Sequence, residues 1–256
     1  MLDSKERFSR KVDNYVKFRP SYPQAAMEYL FAETGAGEGS FVADIGSGTG
    51  KFTKLLLEKG LSVYGVEPNQ NMREAAEREL SAYPDFHSID GSAESTALPD
   101  ESVDLITVAQ AFHWFDREAC KPEFARILKP EGQIALIWNR RNTKDSDFIV
   151  GYESLVKQYG NVSGFAHESI TEAVFDAFFT NHKTYHFKWS QPFDFDGLWG
   201  RAQSSSYAPA PEHPHYEPLK QALFELFEKH QKNGSVDFTY DTELVIGQME
   251  CVVRNL

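Results

Sequence analysis

The stretch VADIGSGTG, residues 42–50, decides the fold of this chain. It begins as a short apolar run, passes through Gly46, Gly48 and Gly50, and leads into KFTKLLLEKG, which has the pattern of a helix. Glycines between a strand and a helix allow a sharp turn and let a ligand contact backbone N–H groups at the helix N-terminus. The stretch therefore predicts a strand–loop–helix unit that binds a small ligand.

The spacing within this loop narrows the choice of ligand. A dinucleotide-binding fingerprint requires glycine or alanine at the position of Lys51. The sequence also has no G-x-x-x-x-G-K-[ST] loop of the kind that binds nucleoside triphosphates. A sharp turn needs glycine on steric grounds alone, so the loop becomes informative only in combination with other residues.

Strand-like runs alternate with helical patterns up to about residue 140. The predicted strands are 41–46, 62–67, 86–90, 103–110 and 133–139. Asn69 is expected to cap the helix after the second strand. Pro122 is expected in the first turn of a helix that starts late. Near-continuous apolar strands separated by helices predict a parallel sheet covered on both faces.

The pattern changes after residue 140. Residues 146–180 look helical and amphipathic, 183–190 look like a strand, and the proline-rich segment 208–218 reads as a loop. A helix is predicted to end at Asn233-Gly234, followed by a final strand from Val236 to Ile246.

Charge and composition exclude several functions. The formal net charge is -12 and basic residues are not clustered, so nucleic acid is a poor partner. Two cysteines are too few for a disulfide framework or a thiolate zinc site, and the histidine pairs lack completing ligands, so no metal is expected. We expect a cytoplasmic protein, monomeric or homodimeric, with no signal peptide or membrane span.

Acidic residues follow the glycine loop in a meaningful order. Glu67 ends the second strand 21 residues after Gly46 (67 minus 46), where an α/β nucleotide-binding domain places the carboxylate that accepts both ribose hydroxyls. Asp90 ends the third strand and leads into GSAE, whose Ala93 and Glu94 could flank an adenine. The three features together predict a nucleoside site.

These residues resemble the class I S-adenosylmethionine-dependent methyltransferases over about residues 40–140. LKPEGQIAL (128–136) resembles the LKPGG turn of that family, with Glu131 in place of the first glycine. FSRKVDNYVKFRPSYP (8–23) and VAQAFHWFD (108–116) resemble its trans-aconitate methyltransferase-like branch (methyltransferase type 11), which acts on small molecules. The resemblance implies an α/β, doubly wound, Rossmann-like sheet of seven strands with an antiparallel last strand.

The resemblance also implies a domain plan and a cofactor site. A single methyltransferase domain would cover 1–256, with N-terminal lid helices in 1–40, the cofactor-binding half in 41–140, and substrate-side inserts with the last two strands in 141–256. Asp44 would hold the methionine part of S-adenosylmethionine, and Pro68 and Met72 would pack against adenine. The expected cofactor-binding residues are Tyr15, Arg19, Asp44, Gly46, Ser47, Gly48, Glu67, Pro68, Met72, Ser92, Ala93, Glu94, Gln110 and Ala111.

The N-terminal segment has two interpretations. Arg19 could pair with the cofactor carboxylate or with a substrate acid in a bidentate manner. A packed terminal helix with a solvent-facing arginine would give the same sequence. The resemblance favours Tyr15 and Arg19 as cofactor or lid residues.

VAQAFHWFD leaves the sheet as an aromatic run, which fits either a hydrophobic plug or the wall of a binding site. His113 could be a general base, a hydrogen-bond donor or a packed ring, and a carboxylate acceptor needs no base. Arg140 and Arg141 follow the fifth strand and would suit a carboxylate, although solvated loop charges would look the same. Four residues could roof a pocket: Trp199, Arg201, Ser206 and Tyr207. The candidate substrate residues are Tyr22, His113, Trp114, Asn139, Arg140, Trp199 and Tyr207.

The sequence therefore predicts a methyltransferase that uses S-adenosylmethionine and a small-molecule acceptor, possibly a carboxylic acid, by a positioned SN2 displacement. The competing functions are a methyltransferase acting on RNA or protein, an NAD-dependent oxidoreductase, and a non-catalytic cofactor-binding protein. The charge of -12 disfavours RNA, and Lys51 disfavours NAD.

Overall fold

The computed structural model describes residues 20–160, 170–205 and 207–249. Its strands are β1 (Phe41–Ile45), β2 (Ser62–Val66), β3 (Phe86–Ile89), β4 (Val103–Ala109), β5 (Leu128–Arg141), β6 (Asn181–Phe193) and β7 (Val236–Gln248). Its helices are α1 (Gln24–Thr34), α2 (Lys51–Leu57), α3 (Gln70–Glu79), α4 (Arg117–Ile127), α5 (Asp147–Tyr159), α6 (Glu172–Phe178), α7 (Phe195–Gln203) and α8 (Tyr216–His230). A single 3-10 turn, Phe112–Trp114, follows β4.

The strands form one seven-stranded sheet in the order β3-β2-β1-β4-β5-β7-β6. The pairs from β3 to β5 are parallel, and the last strand is antiparallel, so the predicted doubly wound, Rossmann-like sheet is confirmed. The strand order reverses between β1 and β4. In open α/β sheets the crevice at such a reversal is where ligands bind, beyond the carboxyl ends of the strands.

The chain divides into two compact units, which are described separately. The sheet unit consists of residues 21–138, 170–187 and 242–249, and the second unit of residues 139–160, 188–205 and 207–241. In the sheet unit, Val42 joins one buried cluster while Ala43 and Ile45 join another. Since neighbouring side chains of a strand point to opposite faces, β1 is buried on both faces, as its apolar sequence predicts.

The second unit has a core of its own, built from α5, α7, α8 and the adjoining residues of β6 and β7. Its largest fully buried side chains are Tyr152, Phe238 and Tyr240. Phe238 meets Tyr152 edge to face, with ring centroids 5.0 Å apart. The phenol groups inside this core require hydrogen-bond partners.

The prediction for Pro122 is wrong. Helix α4 begins at Arg117, so the proline lies inside the helix. Asp116 explains the early start, because its carboxylate accepts hydrogen bonds from the backbone N–H groups of Glu118 and Ala119. Proline at this position removes the bond to the Glu118 carbonyl. Glu118 is exposed, so water can solvate that carbonyl.

The boundaries predicted for the last helix are also wrong. Helix α8 begins inside the predicted loop, at Tyr216, and ends at His230 rather than at Asn233-Gly234. Asn233 and Gly234 have φ values of 53° and 78°, and Lys232 and Ser235 exchange backbone hydrogen bonds across them. Two consecutive residues with positive φ are the signature of a tight hairpin turn. The Asn-Gly pair therefore turns the chain into β7.

Part of the predicted N-terminal lid lies outside the described residues, including Tyr15 and Arg19. Of the first 40 residues, helix α1 is described, and its residues Ala26, Met27 and Leu30 are buried in the core of the sheet unit. Within the described ranges, no helix is both long and apolar enough to cross a membrane.

Candidate functional site

The glycine loop joins β1 to α2 through three residues in the left-handed region. Gly46, Gly48 and Gly50 have φ values of 70°, 58° and 78°. A Cβ on Gly46 would lie 2.7 Å from the Cβ of Ala111, and one on Gly50 would lie 2.6 Å from Cδ1 of Leu80. The backbone of Gly46 and of half-exposed Ser47 is fixed by N–H bonds to the Val66 carbonyl, at 2.8 and 3.2 Å. Both the conformation and the packing of this loop therefore require glycine.

Glu67 holds the loop from the neighbouring strand. Its Oε2 accepts a hydrogen bond from the N–H of Gly48 at 3.0 Å, and its Oε1 accepts one from the N–H of Asn69 at 2.8 Å. The side chain is buried, with 8% of its surface exposed. A carboxylate offers about four lone-pair sites, and both oxygens of Glu67 act as acceptors. The predicted ribose-binding acid is thus a fixed acceptor beside the glycine loop.

Asp44 lies beneath the loop and is fully buried. Its Oδ2 accepts a hydrogen bond from Thr53 at 2.6 Å, and its Oδ1 accepts one from Thr107 at 2.9 Å. Burial and, to a smaller extent, the charge of Glu67 raise the pKa of this carboxyl, the two threonine hydroxyls oppose the shift, and the net pKa is about 6. Asp44 thus ties β1 to α2 and β4. Its contact with the methionine part of a cofactor stays a prediction.

We expect the pKa of Asp44 to give a measurable pH dependence of stability. Since the folded-state pKa of about 6 exceeds the ordinary value of 3.8, the folded state binds the proton more tightly, and stability from this group is lost as the pH rises from about 4 to about 6. The shift corresponds to about 3 kcal/mol. Asp44→Asn should therefore be more stable than the wild type at pH 7, by up to that amount, and should lack this slope.

Urea unfolding of both proteins between pH 4 and pH 7 measures the effect. Asp85→Asn, which changes an exposed aspartate of the sheet unit, is the matched control. An Asp44→Asn protein that keeps the wild-type slope would assign the pH dependence to another group.

The expected adenine-side residues lie in two segments of the sheet unit. Met72 is buried in α3, and its Sδ lies 3.8 Å from where a Cβ on Gly48 would be. Half-exposed Pro68 lies directly between Glu67 and the helix cap, Asn69. The cap is confirmed, because its side chain accepts a hydrogen bond from the N–H of Met72 at 3.1 Å.

The second segment is a tight loop after β3. Ser92 and Ser95 exchange backbone hydrogen bonds of 3.0 and 3.2 Å, and Ala93 between them is buried. Oε1 of Glu94 accepts a hydrogen bond from the N–H of Asp116 at 3.1 Å. This contact connects the predicted adenine segment to the end of VAQAFHWFD.

The residues of VAQAFHWFD have different roles. Phe112 is fully buried, and its ring meets that of Phe178 edge to face at 4.8 Å. His113 is half-buried, and Trp114 is 36% exposed. The ring of Phe115 lies 3.3 Å from where a Cβ on Gly46 would be. Phe112 is therefore a plug, Phe115 packs between the core and the glycine loop, and His113 and Trp114 are partly exposed.

Gln110 begins this change of direction in a strained conformation. Its φ is 61°, although its N–H still pairs with the Ile137 carbonyl at 2.9 Å. The left-handed region costs a residue other than glycine about 1–2 kcal/mol. Such strain is frequent at functional sites, and the predicted role of Gln110 and Ala111 beside the adenosine would account for it.

We expect Gln110→Gly to separate stability from binding. The free energy of unfolding should rise by about 1 kcal/mol, because glycine adopts this φ freely. The affinity for S-adenosylhomocysteine should fall, because the side chain beside the adenosine is removed. Chemical denaturation and calorimetry measure the two quantities.

Glu131→Gly is the matched control. Glu131 has a φ of 67°, is exposed, and occupies the position at which the resembled LKPGG turn has glycine. The Glu131→Gly variant should also gain stability, because glycine adopts a positive φ freely, and it should keep the wild-type affinity for S-adenosylhomocysteine. Equal affinities of Gln110→Gly and Glu131→Gly for S-adenosylhomocysteine would show that the Gln110 side chain does not contribute to binding.

The candidate substrate residues fall in both units. In the sheet unit, the ring of Tyr22 packs edge to face on Phe52 at 4.9 Å, and the ring centroids of His113 and Trp114 are 5.0 Å apart. In the second unit, Asn139 is half-buried and Arg140 is exposed. Their roles toward an acceptor stay predictions.

Two further candidates of the second unit have defined contacts. The ring of Trp199 meets that of Tyr216 edge to face at 5.2 Å, and the ammonium of Lys220 lies 5.9 Å from the Trp199 ring centroid. Tyr207 is half-buried and accepts a hydrogen bond from Nη1 of Arg141 at 2.9 Å.

Sequence reasoning missed the residues that support the site. Thr107 is the register partner of Asp44 in β4, and a hydroxyl within the apolar run VDLITVA was the signal for it. Arg73 donates to the Glu67 carbonyl at 2.8 Å and pairs with Asp90 at 2.9 Å. It lies six residues after Glu67, and nothing in its spacing indicated either contact.

Comparison with known proteins agrees with this geometry. Residues 43–136 match the family model of the methyltransferase domain. An uncharacterized methyltransferase of Mycobacterium tuberculosis is 39% identical over 137 residues, which are 54% of this chain and 54% of the relative. The chain thus spans about half the length of the curated relatives it matches.

Solved structures share the fold. A candidate type II methyltransferase from Anaeromyxobacter dehalogenans has a TM-score of 0.68 at 22% identity, covering 90% of this chain and 98% of its own. Phosphoethanolamine N-methyltransferase 2 of Haemonchus contortus, solved with S-adenosylhomocysteine, has a TM-score of 0.60 at 13% identity, covering 97% of this chain and 60% of its own.

The matched segment contains the glycine loop, Glu67 and the end of β4. The family model of the methyltransferase domain therefore covers the part of the chain that carries the candidate site, and the solved structures share the fold.

Proposed function

We propose that this protein transfers the methyl group of S-adenosylmethionine to a small-molecule acceptor, specifically an organic acid. The observation that carries the proposal is the Glu67 carboxylate, whose two oxygens are fixed by the N–H groups of Gly48 and Asn69. We propose that Glu67 also accepts the two ribose hydroxyls, since a carboxylate has about four lone-pair sites. The three left-handed glycines of the loop would present backbone to the same ligand.

We propose the following assignment of the expected residues to the parts of the cofactor. Glu67 would bind the ribose, and Pro68, Met72, Ser92, Ala93, Glu94, Gln110 and Ala111 would enclose the adenine. Gly46, Ser47 and Gly48, supported by Asp44, would contact the methionine part, together with Tyr15 and Arg19. When bound, S-adenosylmethionine supplies a methyl group on a sulfonium, which is already activated for displacement.

The protein contributes positioning to this reaction rather than covalent catalysis. Holding an acceptor in line and excluding water can supply several kcal/mol. A carboxylate acceptor is already a nucleophile and needs no general base. We therefore assign His113 to orienting the acceptor, with base catalysis as its role for a less nucleophilic acceptor. Tyr22, Trp114, Asn139, Arg140, Trp199 and Tyr207 are proposed acceptor contacts.

The remaining features of the proposal come from the resemblance and the composition. We propose one methyltransferase domain with an N-terminal lid, in a cytoplasmic monomer or homodimer that binds neither nucleic acid nor membrane. The alternative acceptor is RNA or protein. The net charge of -12 disfavours RNA, because anionic surfaces repel phosphate.

Two experiments test the proposal. Titration calorimetry should show binding of S-adenosylhomocysteine and none of NAD, and NAD binding without nucleoside binding would overturn it. A methyl-transfer screen over small acids, phenols and amines should then find the acceptor among the acids. Nucleoside binding without transfer to any acceptor, including RNA and protein, would favour a non-catalytic cofactor-binding protein.

A further inference from the structure

The second unit buries an arginine, Arg201, that pairs with no carboxylate among the residues described for this unit. Arg201 in α7 is 4% exposed. Its Nε donates to the hydroxyl of Tyr240 at 3.1 Å and its Nη1 donates to the hydroxyl of Ser205 at 3.1 Å. Among the described residues, no carboxylate pairs with Arg201, and its Nη2 donates no hydrogen bond.

A second arginine lies in the same core. Arg141 forms an ion pair with Glu153, and its Nη1 donates to Tyr207. Its guanidinium carbon is 5.7 Å from the ring centroid of Tyr152 and 5.6 Å from that of Tyr207. The described contacts therefore supply two guanidinium charges with one carboxylate.

The contacts that hold Arg201 are neutral. The centroid of the Phe238 ring lies 5.5 Å from its guanidinium, which gives a cation–π contact, and two hydroxyl groups accept its hydrogen bonds. None of these groups carries a negative charge, whereas buried charges are normally paired. An external anion would supply the missing charge.

We propose that the second unit binds the carboxylate of a small organic acid at the arginine cluster, formed by Arg141, Arg201 and Tyr207. A planar carboxylate matches the fork of a guanidinium and accepts a hydrogen bond from a phenol. Tyr207 is half-buried and the side chain of Arg141 is 23% exposed, so two members of the cluster have solvent-accessible surface. The identification of this acid as the methyl acceptor rests on the proposed function. Its binding at the arginine cluster does not.

The titration of Tyr207 supports a positive potential in the cluster. Burial raises the pKa of this phenol, but the charges of Arg141 and Arg201, together with hydrogen bonds to Ser205 and Tyr152, lower it to about 8, below the ordinary 10. The same field that stabilises a phenolate stabilises a carboxylate.

The test measures binding by the full chain without cofactor or methyl transfer, so its failure is distinct from failure of the proposed function. Succinate and citrate should raise the Tm above that in chloride of equal ionic strength, and calorimetry should give their affinities. Arg201→Met should lose at least tenfold in affinity while its own Tm stays equal or rises, because a poorly compensated buried charge is replaced by an apolar chain.

Two further variants complete the experiment. Tyr207→Phe should also lose affinity, and it decides the question if Arg201→Met does not fold. Lys157→Met removes an exposed charge of the same unit and should bind as the wild type does. Carboxylates that leave the wild-type Tm unchanged, or bind the variants equally well, would overturn the proposal. Inorganic phosphate that binds as tightly as succinate would overturn the choice of a carboxylate.

Discussion

Glu67→Ala is expected to weaken the binding of S-adenosylhomocysteine on the order of 100-fold. The change removes a charge-assisted pair of hydrogen bonds to the ribose, each worth about 1.5–3 kcal/mol. It also leaves the buried N–H groups of Gly48 and Asn69 without their acceptor. An unsatisfied buried donor costs about 1–3 kcal/mol, so the variant should also be less stable. Calorimetry below the unfolding transition measures the affinity.

Two variants control for charge and shape. Glu77→Ala removes an exposed carboxylate from α3 and should keep the wild-type affinity. Glu67→Gln keeps the shape of the side chain but directs an NH2 group at a backbone N–H, so it should lose most of the affinity. Wild-type affinity in Glu67→Ala would refute the ribose role and remove the main support for the proposed function.

Gly46→Ala should lower the free energy of unfolding by about 2–5 kcal/mol. A left-handed φ of 70° costs alanine about 1–2 kcal/mol. The added methyl group would also lie 2.7 Å from the Cβ of Ala111, and overpacking of this kind costs about 1–3 kcal/mol. Because Ala111 is a short side chain attached to the end of β4, relief requires backbone movement in the proposed site. Urea unfolding measures the loss.

Gly39→Ala separates the two causes. Gly39 has a φ of 84°, but a Cβ there would meet nothing within 4 Å, so it should lose only the conformational part. Adding Ala111→Gly to Gly46→Ala should recover much of the difference, because the closest contact disappears. Equal losses at Gly39 and Gly46 would mean that the contact with Ala111 contributes nothing.

The strands of the first 140 residues and the loop at Gly46–Gly50 could be predicted because their signals are local. Apolar runs bounded by glycine and proline indicate the strands, and the order of the glycine loop and Glu67 along the chain indicates a nucleoside site. Asn69 was recognised as a cap for the same reason. Each of these features can be recognised from residues that lie close together in the sequence.

The errors arose where a local rule competed with another local interaction. Pro122 was expected to start a helix, but the cap at Asp116 starts it earlier. The pair Asn233-Gly234 was read as a helix end, although the same residues favour a hairpin turn.

Contacts between residues far apart in the sequence could not be predicted from the sequence. The bonds from Thr107 to Asp44 and from Arg201 to Tyr240 join residues 63 and 39 positions apart. Their existence depends on strand register and on helix packing. A sequence shows only that such hydroxyl, phenol and guanidinium groups are present. The hydrogen bonds that hold Asp44 and the contacts of the buried Arg201 could therefore be found only from the structure.

The different burial of residues 112, 113 and 114 has a consequence for how this protein can evolve. Of residues 112–114, Phe112 is the one buried in the core, while His113 and Trp114 are partly exposed. Exposed positions tolerate exchange with little effect on folding, whereas truncating a buried phenylalanine costs about 3–5 kcal/mol. Mutation can therefore sample new side chains at 113 and 114 without endangering the scaffold. Selection for a different acceptor would have two adjacent positions on which to act.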